Sequence, residues 1–114
     1  MKSMSDFRDV LQISKVTLEA CLLEYPIHSY NKDVLVDTDN CYRGVVEWKN
    51  CLGEMLVEQA DYAPYRYLTF NILPTDIDEV IPIFAWNDSD TDSLESIKDK
   101  IKEGVCCAFD YNQE

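Results

Sequence analysis

A chain of 114 residues and 13.2 kDa can bury one hydrophobic core but not two, so residues 1–114 are expected to form a single domain. With 46% apolar residues it is too hydrophobic for a disordered acidic tail, and three Gly and four Pro, spread along the chain, leave neither linker nor low-complexity stretch. Ten basic against 22 acidic residues give a formal charge of −12, which repels phosphate backbones and anionic lipid; direct nucleic-acid binding is disfavoured and capture of a basic protein favoured.

The opening MKSMSDFRDVLQ lacks the apolar run of a secretory signal, and no window has the length of a membrane span, so a cytoplasmic location without membrane contact is expected. Ser3 or Ser5 can cap a first helix with Phe7, Val10, Leu11, Leu18, Cys21 and Leu22 along one stripe. Ile13, Val16, Ala20 and Leu23 widen that stripe. Pro26 disfavours helical angles at Tyr25 and ends the helix near Glu24. A polar connector over 28–40 then contains a short strand at 34–36.

From Tyr42 the apolar period changes to two. Residues 42–49, 54–60 and 65–73 are rich in β-branched and aromatic types, with turns at 50–53 and 61–64, and read as an antiparallel meander. In the third of these strands Leu68, Phe70 and Ile72 share one face, and Tyr65, Tyr67 and Thr69 the other. Residues 80–85 (VIPIFA) form another strand, which Pro82 confines to an edge. Asp92 followed by Glu95 resembles a capping box opening a second helix over 93–103, with Leu94, Ile97 and Ile101 inside and Gly104 as its stop. Residues 105–111 read as a final strand, which would point Cys106 and Cys107 to opposite sides. The expected class is α+β: an antiparallel sheet of four to five strands packed with an N-terminal helix and a second helix before the last strand.

Catalytic chemistry is hard to find. The single histidine, His28, has no nucleophile in a recognisable relation to it, and there is no serine nucleophile elbow and no phosphate-binding glycine loop. No enzymatic activity and no cofactor are expected. Five cysteines (Cys21, Cys41, Cys51, Cys106 and Cys107), odd in number and without spaced CxxC pairs, read as reduced apolar thiols rather than zinc ligands. Acids at 88, 90, 92 and 99 imitate a calcium loop, but Ser93 replaces its glycine, Glu95 its apolar residue and Asp99 its bidentate glutamate, so no metal is expected.

Charge distribution is the stronger signal. No positive residue lies between Arg66 and Lys98, while Asp76, Asp78, Glu79, Asp88, Asp90, Asp92 and Glu95 are interleaved with Ile77, Ile81, Phe84 and Trp86. Acids around a few large apolar anchors give an interface both steering and hot-spot energy. A second cluster is aromatic: Tyr62, Tyr65 and Tyr67, with Trp48 on the neighbouring strand.

Size, acidity, the lack of catalytic residues and the helix-Gly-strand pattern of 92–111 (DSLESIKDKIKEGVCCAFDY) together resemble bacterial immunity proteins of the colicin and contact-dependent growth-inhibition systems. That resemblance implies neutralisation of a cognate toxin, commonly a nuclease with a basic cleft. It would place Asp76, Asp78, Glu79, Trp86, Asp88 and Asp90 at the interface, with the Tyr65 and Tyr67 face in reserve. An adaptor or regulatory module, including a nucleic-acid mimic, is the alternative reading.

Overall fold

The computed structural model describes residues 4–26, 29–59, 67–77, 81–89 and 92–112. Among them the chain forms α1 (Met4–Leu23), β1 (Asn31–Asp37), β2 (Cys41–Glu47), β3 (Cys51–Glu58), β4 (Leu68–Pro74), β5 (Phe84–Asn87) and α2 (Leu94–Asn112). The strands follow one another across the sheet in chain order, each antiparallel to its neighbour. This is the α+β arrangement of an antiparallel sheet with two helices.

α1 buries the six residues of its expected stripe, Phe7 through Leu22. The widening does not hold: Val16, Ala20 and Leu23 are exposed, Leu23 at 77%, and Ser14 and Thr17 are buried instead. At 100° per residue Ser14 falls in the middle of the stripe and Leu23 nearly opposite it, and a helix resting on one sheet face buries by angle before it buries by polarity.

The strands are amphipathic as their alternation requires. Tyr42, Val46 and Trp48, then Cys51, Met55 and Val57, then Leu68, Phe70 and Ile72 point to the helix side and are buried. Side chains of this size each contribute about 2 kcal/mol on leaving water. The β2–β3 turn comes earlier than expected: Trp48 N–H donates to the Cys51 carbonyl at 2.9 Å, closing the chain over Lys49 and Asn50. Gly53 then lies inside β3 under the Trp48 ring, whose Cζ3 would be 3.0 Å from an added Cβ. The 61–64 turn lies outside the described residues. The strand expected over 80–85 begins only at Phe84, because Pro82 has no N–H to give a ladder and the pairing with β4 starts at Ile72 with Phe84.

The largest departure is at the C-terminal end. α2 runs through Gly104 to Asn112, and 105–111 is helix, not strand. No glycine among the described residues has positive φ, so Gly104 does not act as a left-handed stop. It is there for proximity: an added Cβ would stand 2.7 Å from Phe70 Cε2 and 2.9 Å from Phe84 Cδ2. The apolar spacing of Ile97, Ile101, Val105, Ala108 and Phe109, all buried, carries the three-to-four period straight through. Phe109 stacks on Tyr25 with centroids 3.6 Å apart and meets Trp48 edge-on at 5.7 Å, joining α2 to the end of α1 and to the β2–β3 turn. The start of α2 is capped by Ser93, whose Oγ accepts from Ser96 N–H at 3.1 Å.

Candidate interaction surface

Both helices lie on one side of the sheet, and the other side carries the second half of the alternation. Register places its residues in rows across the strands. One row is Asn31, Glu47, Leu52 and Leu73; the next is Asp33, Val45, Glu54, Asn71 and Ala85; the third is Val36, Arg43, Leu56, Thr69 and Asn87. Glu58 opposes Cys41 beyond them. Among the described residues of these rows and of the Cys41–Glu58 pair, four carboxylates stand against one cation, Arg43, and that guanidinium is taken up by Glu54 at 2.6 Å. Between them Leu52 and Val36 are each 37% exposed, and Val45, Leu56 and Leu73 are half-buried. The alternation of 43–47, 52–58 and 69–73 contains this face, but only pairing shows that the three segments form one surface.

Among the described residues of the acidic segment 76–95, Asp76, Asp88 and Asp92 are each bonded within the fold rather than gathered in such rows. Asp88 is 1% exposed, and its Oδ1 accepts from Tyr67 N–H and Leu68 N–H at 2.8 Å each, fixing the start of β4. Bonded inside the fold, this carboxylate is withdrawn from the expected partner contact. Asp92 folds back onto its own loop, accepting from Ser89 N–H at 2.8 Å and from the Ser96 hydroxyl at 3.1 Å. Asp76 is exposed but accepts from the Tyr111 hydroxyl, tying the β4–β5 connection to the end of α2. Asp78, Glu79, Asp90 and Tyr65 lie outside the described residues, as does His28.

The described aromatic candidates are also drawn inward, while Tyr62, like Tyr65, lies outside the described residues. Trp86 is half-buried on the helix side of β5, opposite Phe70. Tyr67 meets Phe7 edge-on at 5.1 Å. Trp48 sits at the other end of the sheet from Tyr67, which lies beside Glu58, so the expected tyrosine–tryptophan cluster does not form between them.

α1 and β1 are joined by two ion pairs, Lys15 with Asp37 at 2.9 Å and Lys32 with Glu19 at 2.7 Å. A cavity of about 450 Å³, lined by Leu22, Leu23 and Tyr30 with the Glu19–Lys32 pair, opens at one end of this seam. A more polar one of about 620 Å³ lies at the other, where Arg8, Asp9, Lys15, Asp37 and Asp39 mix both signs. Burial pulls the Lys32 ammonium down, but the bond to Glu19 and the nearby Tyr42 outweigh it and hold Lys32 above the ordinary lysine range.

All five cysteines are unbridged. Burial pushes the Cys21, Cys41 and Cys107 thiols up, the reverse of an activated nucleophile. The described acids of the calcium-like stretch do not converge: Asp88 faces β4, Asp92 its own loop, and Asp99 stands exposed on α2. Among the described residues no three His, Cys, Asp or Glu are grouped to hold a metal ion, and no helix is long and apolar enough to cross a membrane. No protein-family model, curated protein or solved structure matches the chain.

Proposed function

We propose that this chain is a cytoplasmic binding module that neutralises a basic protein, acting as an immunity protein towards a cognate bacterial toxin, and that it docks through the open face of its sheet. The observation that carries the proposal is that face: Asp33, Glu47, Glu54 and Glu58 set among Val36, Leu52, Leu56 and Leu73, in a molecule of charge −12. A flat surface with exposed aliphatics can supply contact area, and the surrounding carboxylates steer a cationic partner and speed its capture.

The test is capture of the partner on immobilised protein at low salt, followed by release at high salt. Wild-type protein is expected to retain a basic polypeptide that arrests growth when expressed alone and is harmless when co-expressed with this chain. A Glu47→Lys, Leu52→Lys, Leu56→Lys variant is expected to lose that retention and that protection while keeping its far-ultraviolet circular dichroism. Retention of the same partner by a folded variant would move the interface elsewhere. A housekeeping protein as the retained species would replace the toxin reading with that of an adaptor.

A further inference from the structure

The seam between the end of α1 and the middle of α2 encloses a cavity of about 190 Å³ lined by Cys21, Glu24, Tyr25, Lys102, Val105 and Cys106. Two thiols therefore face one small space from two different helices. Cys21 is 4% exposed, and Cys106 is open to solvent with its Sγ 3.8 Å from the Tyr25 hydroxyl. From this geometry we infer that Cys21 and Cys106 are a reversible redox pair, oxidised to a disulfide across the α1–α2 seam by small-molecule disulfides.

The order of events follows from exposure. The Cys106 thiolate attacks a symmetric disulfide RSSR, forming a Cys106–SR mixed disulfide and releasing one RS⁻. Cys21 then attacks the Cys106 sulfur, the S–R bond breaks, and the Cys21 proton leaves with the second thiol. Two protein thiols become one disulfide, and RSSR is reduced to two equivalents of thiol. Buried Cys21 is poorly placed for the first attack. Its thiol is held up by burial and by Glu24, with Lys102 opposing, which leaves the first attack to Cys106.

The neighbouring thiol is a poorer partner for either. Cys107 follows Cys106 directly on a helix, where adjacent side chains diverge by 100° and adjacent Cα atoms are about 3.8 Å apart, shorter than the usual span of a disulfide. Cys51 is buried on β3 against the Ala108 carbonyl, away from the seam.

Oxidised glutathione applied to the folded protein, followed by thiol blocking and tryptic mass spectrometry, tests the pairing. The expected product joins peptide 16–32 to peptide 103–114, is lighter by two hydrogens than the sum of the two, and separates again with dithiothreitol. Cys107→Ser is expected to leave its yield unchanged, and Cys106→Ser and Cys21→Ala each to abolish it. In the Cys21→Ala protein, glutathione should remain trapped on Cys106 as the mixed disulfide. The cross-linked protein should melt several degrees above the reduced form, because the bridge closes a loop over most of the chain. A stable mixed disulfide on wild-type Cys106 without cross-linking, or a link through Cys107, Cys41 or Cys51, overturns the assignment.

Discussion

Replacing Gly104 with alanine places a methyl group between two buried rings. In the middle of an exposed helix this change would stabilise by about 1 kcal/mol, because alanine loses less backbone entropy than glycine. Here the new Cβ would lie 2.7 Å from Phe70 Cε2 and 2.9 Å from Phe84 Cδ2, where carbons rest at about 3.5–4.0 Å. Phe70 is 1% exposed and Phe84 8%, so neither ring can swing into solvent, and α2 must lift from β4 and β5. Overpacking of this kind costs up to about 3 kcal/mol, leaving a net loss of about 2 kcal/mol after the helical gain. For a domain of this length that is about 8 °C of melting temperature, read by circular dichroism at 222 nm. Two further variants separate this cause from a helix terminus. Phe84→Leu in the Gly104→Ala background should make the alanine less costly, with a coupling of at least about 0.5 kcal/mol in the double-mutant cycle. Gly104→Asn should be worse than Gly104→Ala, since asparagine is larger and no left-handed backbone rewards it. An alanine variant that melts higher than wild type, or an asparagine variant more stable than the alanine one, would refute the close approach.

Asp88→Ala removes the acceptor of two amides at the start of β4 and should cost about 3 kcal/mol in urea unfolding; a loss below about 1 kcal/mol would contradict the role given to this carboxylate. Ser93→Ala should lower stability by about 1 kcal/mol through loss of the α2 cap, measured in the same way. Stability should fall in alkali. Burial and the Cys106 contact push Tyr25 up to about 12 from its ordinary 10.0, and the folded chain therefore holds a proton that the unfolded chain has released. The raised folded value means that the Tyr25 contribution is intact below pH 10 and lost as pH rises towards 12. The thiols of Cys21, Cys41 and Cys107, raised from 9.0, begin the decline earlier, and Lys32, raised from 10.5, adds to it above that value. Urea titrations from pH 8 to 12 should show the slope, and Tyr25→Phe should flatten its upper part. Arg43→Ala should change stability by less than about 1 kcal/mol, because the Arg43–Glu54 pair is substantially solvated, its side chains 49% and 39% exposed.

Much of the chain's organisation is local and could be read before folding. The α1 stripe from Phe7 to Leu22 and the alternation of Leu68, Phe70 and Ile72 are periodic signals, and those side chains are buried as the periods require. The candidate surface was less legible. Acids clustered along the sequence at 76–95 look like a patch, yet Asp88 is buried on the amides of β4 and half-buried Asp92 is bonded to the amide of its own loop. The carboxylates of the open sheet face come from residues 33, 47, 54 and 58, which are dilute in sequence and gathered only by strand register.

By itself the sequence determined the net charge, which is a sum over its residues, and the first helix with its buried stripe, the two-residue period of the meander and the α+β class, because these depend on residues within a few positions of one another. Tertiary structure alone decided where α2 ends, which side of the sheet stays open and which carboxylates remain on the surface. Gly104 shows the reason most clearly. Whether a glycine stops a helix or lets it pass depends on what stands beside it, and the two rings beside this one come from β4 and β5, more than a helix length away in sequence.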